Sequence, residues 1–150
     1  MQRTASRTAR KQVQPLSVGA RAPIFAARTT EGALRTFLPD SYWKPTVVLF
    51  YRGGWCPYCN SQLSDLHLVE PAKAFHVAYH VDGATFAKMR EYGVDLEATT
   101  GTKQHELPVP SVFIIDTSGT IRFVYSNPDY KIRLGADALW AAAQPLATVK

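Results

Sequence analysis

At 150 residues the chain has the size of one domain, long enough to bury a core without disulfide or metal staples. A hydrophobic fraction of 46% with 19% charged residues excludes global disorder. No apolar run reaches bilayer-spanning length, and no secretory apolar segment is read after Met1. The net charge of +5 would suit a nucleic-acid binder, but six of the 17 basic residues lie within residues 1–30, ahead of any acid. From Glu31 onward 11 basic residues face 12 acidic ones, so the body is neutral and predicts neither a nucleic-acid nor a membrane partner.

In chain order, residues 1–15 read as a basic arm, and residues 16–150 as one domain. The arm is rich in Arg, Ser and Thr like an organelle-targeting segment, but it lacks the apolar face of a targeting helix. Ala33 to Leu38 is a short mixed segment that suits an edge strand. Thr46-Val-Val-Leu-Phe-Tyr51 is a β-branched and aromatic run, which predicts a strand buried on both faces. Gly53-Gly54 ends it, and a helix is expected from near Cys56, with Pro57 in its first turn, until Pro71. Residues 74–81 alternate strictly: Phe75, Val77, Tyr79 and Val81 on one side, Ala74, His76, Ala78 and His80 on the other.

A helix over 84–92 ends at Gly93, and residues 94–107 read as a loop. Ser111 to Asp116 is a second buried strand, turned by Thr117-Ser118-Gly119 into a partner at Thr120 to Ser126. Residues 135–147 read as a closing helix. Trp43 and Trp140 are expected in core or edge packing, and Tyr130 and Arg133 in surface packing. The order predicts an α/β layered fold with a mixed central sheet flanked by helices.

The two cysteines stand together as Cys56-Pro57-Tyr58-Cys59. A disulfide scaffold would scatter them; this spacing points to redox chemistry or metal. A thiolate is stabilised at a helix N-terminus, and Arg52 would add positive charge nearby. Cys56 is therefore the expected nucleophile. Cys59, one turn on, would resolve the mixed disulfide or sulfenic acid it forms. Trp55 and Tyr58 would flank the sulfur with apolar surface. A reactive dithiol without structural disulfides suits the cytosol.

Three alternatives stand beside this reading. Cys59 is followed by His76-x-x-x-His80, close to a zinc-finger spacing, although a finger would be an independent module. His105 precedes the Pro108–Pro110 stretch and would reach the dithiol if that stretch faces it; otherwise it is a polar loop residue. Gly53-Gly54 suggests a phosphate loop, but no Lys-Ser/Thr follows, and tight-turn geometry explains the pair better.

The string Phe50-Tyr51-Arg52-Gly53-Gly54-Trp55-Cys56-Pro57-Tyr58-Cys59-Asn60 resembles the AhpC/TSA peroxiredoxin-like family of the thioredoxin superfamily. Leu16, Val18-Gly19, Ala22-Pro23 and Phe25 agree with it, as does Leu107 to Asp116. The resemblance implies a thioredoxin-like fold and an antioxidant cycle through a Cys56–Cys59 disulfide, with Cys56 peroxidatic and Cys59 resolving. It implies a thioredoxin- or glutathione-type thiol reductant and no metal or organic cofactor. Pro110 becomes the cis-proline facing the dithiol, which leaves the backbone of Val109 open to a substrate polypeptide. Pro110 and Trp55 shape the site, and Arg52 holds the thiolate.

Two departures matter. Gly53 stands where relatives carry Thr or Ser to hold the peroxide, and the usual peroxide-polarising Arg has only Arg52 and Arg122 as candidates. The stretch between the dithiol and Pro110 is also short, which implies the loss of one strand–helix unit. Either 74–81 then replaces the parallel neighbour of 46–51, or a sheet edge stays open and favours a homodimer. A protein or glutathione disulfide reductase, and a non-catalytic thioredoxin-like binding module, are the competing functional readings.

Overall fold

The computed structural model describes residues 9–29, 31–57 and 69–147. Phe25–Arg28 (β1) and Leu34–Phe37 (β2) pair as an antiparallel hairpin in which Phe25 stacks on Phe37. Thr46–Phe50 (β3) leads into the cysteine turn. Val69–Ala74 (α1) passes through Pro71, and beyond its end His76, with φ of 58°, turns the chain toward Ala78–His80 (β4). Gly83–Glu91 (α2) and Leu96–Thr100 (α3) follow, each capped by an aspartate. Asp82 accepts from Thr85 N–H at 2.8 Å, and Asp95 from Ala98 N–H at 3.0 Å. Glu106–Pro108 (β5), Ser111–Ile115 (β6), Ile121–Ser126 (β7) and Ala136–Ala147 (α4) complete the described chain.

β3, β6 and β7 form an antiparallel sheet in that order, with β6 central and every one of its residues buried. The β6–β7 turn is fixed by Asp116, whose Oδ1 accepts from Ser118 N–H, Ser118 Oγ and Thr120 N–H. One face of the sheet meets α1 in a phenylalanine cluster. Phe75 lies 5.2 Å from Phe50 and 4.8 Å from Phe113, ring centre to ring centre. Val48 and Phe50 face this cluster, while Leu49 and Tyr51 turn to the opposite side and pack with Cys56. A second core joins Tyr79, Val81 and Met89 to Leu96, Leu107 and Val109.

The mixed α/β expectation holds, as do α2, the buried β6 and its hairpin, and the closing helix. Other expectations need correction. β3 is not buried on both faces, because Val47 is 44% exposed and β3 bonds only to β6 among the described strands. Within 74–81 only Ala78–His80 is strand, although Phe75, Val77, Tyr79 and Val81 are buried as the alternation demands. Its partner is β5, antiparallel, so it does not replace a parallel neighbour of β3.

The stretch 94–107 is not all loop: it holds α3 and β5, too short to show a period. Trp43 and Trp140 lie 82% and 67% exposed, outside the core, and no residue of α4 is fully buried. The arm docks from residue 9: Ala9 and Val13 pack on the second core, and Leu16 N–H bonds to Phe75 O. No helix among the described residues is long and apolar enough to cross a membrane.

Candidate functional site

Cys56 sits on the turn that leaves β3. Its N–H donates to Gly53 O at 3.0 Å, and the next residue, Pro57, is helical. Gly53 has φ of 147°, and a Cβ there would fall 2.5 Å from Trp55 Nε1, so the turn and the indole together require glycine. Cys56 is 1% exposed and packs with Tyr51, Leu49 and Trp55. Trp55 also joins the second core, which carries Val109, and so links the cysteine turn to the residue before Pro110. Tyr58 and Cys59 lie outside the described residues.

Arg52 is held by rings. Its guanidinium carbon stands 4.2 Å from the Tyr130 ring centre and 5.0 Å from that of Trp55. Its charge also acts on the Tyr79 phenol. Arg10, from the docked arm, reaches the same group at 5.3 Å from the Tyr130 ring centre and 5.7 Å from that of Tyr79. Such contacts are worth about 0.5–2 kcal/mol each, most when desolvated. Burial pushes the Tyr79 phenol above its ordinary pKa of 10.0 and outweighs the opposing pull of Arg52 and Arg10. Arg52 Nε and Trp55 Nε1 are buried with no hydrogen-bond partner among the described residues.

Arg52 and Trp55 are legible in the sequence as residues of this site; Arg10, Tyr79 and Tyr130 are not. Tyr79 lies on the buried side of an alternating segment. Arg10 and Tyr130 carry no local pattern that points to the cysteines, and Tyr130 is not mere surface packing.

Pro110 is buried, but no cis peptide bond occurs among the described residues, so the bond before it is trans. Nor is the Val109 backbone open. Its N–H donates to Val77 O at 2.7 Å, and its carbonyl accepts from Ser111 Oγ at 2.8 Å. The β4–β5 ladder, continued by this bond, takes the groups that a substrate polypeptide would need.

Arg122 is no candidate for the site: its Nε pairs with Asp116 at 2.6 Å in the β6–β7 hairpin. His105 is stacked on Phe86, with centroids 3.9 Å apart, and bonded to Glu97 at 2.7 Å. His80 Nδ1 lies 3.1 Å from Gln104 O. Among the described residues no group of three or more His, Cys, Asp or Glu could hold a metal ion.

No family model and no curated protein matches the chain. Solved structures do. A peroxiredoxin-like protein from Aquifex aeolicus superposes with a TM-score of 0.54 at 16% identity, covering 89% of this chain and 90% of that one. A yeast mitochondrial 1-Cys peroxiredoxin aligns at 0.47 and 19%, covering 83% and 73%. A putative protein disulfide isomerase from Bacteroides thetaiotaomicron aligns at 0.46 and 16%, covering 89% and 92%. At these identities the likeness is one of fold, and the chain has the thioredoxin-like fold of that Aquifex peroxiredoxin-like protein.

Proposed function

We propose that the chain is a thiol-dependent oxidoreductase that reduces a small peroxide through Cys56 and Cys59. The observation that carries this reading is the seat of Cys56, on a tight turn between a strand and a helical residue, buried against Trp55, whose ring also meets the Arg52 guanidinium just ahead of the turn. Arg52 supplies the positive charge that favours a thiolate. The burial of Cys56 and the engaged backbone of Val109 favour a small oxidant over a polypeptide.

In the cycle, the Cys56 thiolate attacks one peroxide oxygen, the O–O bond breaks, and the departing oxygen takes a proton as water or alcohol. Cys56 is left as a sulfenic acid. The Cys59 thiolate attacks that sulfur, hydroxide leaves and is protonated to water, and a disulfide forms. An external thiol pair of thioredoxin or glutathione type returns two electrons through a mixed disulfide.

Rapid mixing of the reduced chain with hydrogen peroxide, followed by tryptophan fluorescence and mass spectrometry, tests the reading. Oxidation far faster than that of a free thiol, ending in a Cys56–Cys59 disulfide and abolished by Cys56→Ser, is expected. Oxidation at the rate of a free thiol overturns it.

One observation favours a second reading, reduction of a small disulfide such as oxidised glutathione. The Trp55 indole fills the place where a side chain at Gly53 would hold a peroxide. Turnover of the disulfide with slow peroxide oxidation would select it.

A further inference from the structure

We infer that Tyr130 is a positioning residue for the Cys56 site: gripped by Arg10 and Arg52, it holds the Arg52 guanidinium against Trp55. The inference rests on the reading of Cys56 as the nucleophile, and it concerns what keeps that nucleophile's cation in place.

Arg52 is a long, mobile side chain, and in water it would sample many rotamers at a cost in entropy when fixed. Here its carbon lies near two ring centres, 4.2 Å from Tyr130 and 5.0 Å from Trp55. The Tyr79 phenol faces the same guanidinium. No carboxylate among the described residues pairs with it, so the rings do the holding that an ion pair would otherwise do. An Arg–carboxylate pair would spend the charge; ring faces orient it and leave it for an anion nearby.

Tyr130 is itself presented by a built turn. Asn127 Oδ1 accepts from Asp129 N–H at 2.9 Å, and Asp129 Oδ1 from Lys131 N–H at 3.1 Å. The Arg133 guanidinium donates to the Tyr130 carbonyl. Three distant stretches therefore meet at one phenol ring: the arm through Arg10, the cysteine stretch through Arg52, and the segment after β7 through Tyr130 itself. The charged and titratable groups of the cluster are Arg10, Arg52, Arg133, Tyr79 and Tyr130, with Tyr51 packed against Cys56 itself.

The test uses the full chain carrying Cys59→Ser, so that Cys56 is the lone thiol, and follows its alkylation by iodoacetamide across pH. Tyr130→Leu removes the ring. It should slow alkylation near neutral pH about tenfold, the equivalent of a one-unit rise in thiol pKa, and leave the rate unchanged at alkaline pH where the thiol is ionised. Tyr130→Phe keeps the ring and should stay within about twofold of the parent. In an Arg52→Met background, Tyr130→Leu should have no further effect.

A rate unchanged in Tyr130→Leu, an equal fall in the Phe and Leu variants, or slowing at every pH overturns the inference. If Tyr130→Leu fails to fold by its melting curve, Tyr130→Met takes its place under the same criteria. Because the readout needs no peroxide, slow peroxide oxidation would sink the proposed function while leaving this result standing or falling by itself.

Discussion

The indole of Trp55 lies where a side chain on Gly53 would have to go, with Nε1 only 2.5 Å from the position of its Cβ. The glycine that departs from the family resemblance is thus coupled to the tryptophan two residues on. Gly53→Thr, which would restore the family's hydroxyl, must push the ring aside and strain a backbone at φ of 147°. It should cost about 1–3 kcal/mol of stability and bring no gain in peroxide rate. The double variant Gly53→Thr with Trp55→Leu should recover part of that loss. Denaturant titration of the four chains closes the cycle, and additive losses would contradict the coupling.

Asp116 gives the β6–β7 hairpin a pH signature. Burial alone would raise its pKa, but hydrogen bonds from Ser118, Thr120 and Arg122 outweigh this and hold the carboxyl at about 2, below the ordinary 3.8. The folded pKa is depressed, so the contribution is present above the unfolded value and is lost as pH falls from about 3.8 through about 2. Asp116→Asn should lower stability by about 1 kcal/mol at neutral pH, where it loses the Arg122 pair, and by almost nothing near the folded pKa. Denaturation midpoints of both chains down to acid pH would show the two curves converge.

The parts of this fold that sequence discloses are those with local causes. Asp116 to Thr120 closes a hairpin with its own side chains, and the alternation from Phe75 to Val81 predicts which side is buried. The cysteine turn is legible for the same reason, since Gly53, Trp55 and Cys56 interact across three residues. What sequence hides is long-range choice. Nothing in Ala78–His80 says that its partner is Glu106–Pro108 rather than β3, and that pairing engages the Val109 backbone and withdraws it from any substrate. The meeting of Arg10, Arg52 and Tyr130 is equally remote, with three residues from three segments and no shared period. The exposure of Trp140 fails for another reason: α4 is apolar nearly all round, so composition alone cannot choose its inner face.

Phe75 should be among the most costly positions to truncate. It is fully buried, and its ring meets Phe25, Phe50 and Phe113 where α1 packs against the sheet. Phe75→Ala should cost about 3–5 kcal/mol, and Phe75→Leu less. Trp140→Ala removes a larger side chain that is 67% exposed and should shift stability by no more than about 0.5 kcal/mol. Equilibrium denaturation of the three variants would separate them, and a large loss at Trp140 would mean that α4 has a partner surface.

Val13 tests whether the basic arm belongs to the fold. Its side chain packs on both cores at once, one residue after the Gln12 N–H to Ala9 O bond that closes the helical turn. A mobile arm would tolerate Val13→Asp without effect. A docked arm must desolvate the carboxylate or release the turn, and stability should fall by about 2–3 kcal/mol. The neighbouring Lys11 is exposed, and Lys11→Ala should be silent. Release of the turn also frees Arg10 from Tyr79 and Tyr130. Trypsin should therefore cleave after Arg10 slowly in the parent chain and much faster in Val13→Asp, since cleavage requires the turn to open first. Equal cleavage rates in the two chains would place the arm outside the folded unit and remove one of the two cations that grip Tyr130.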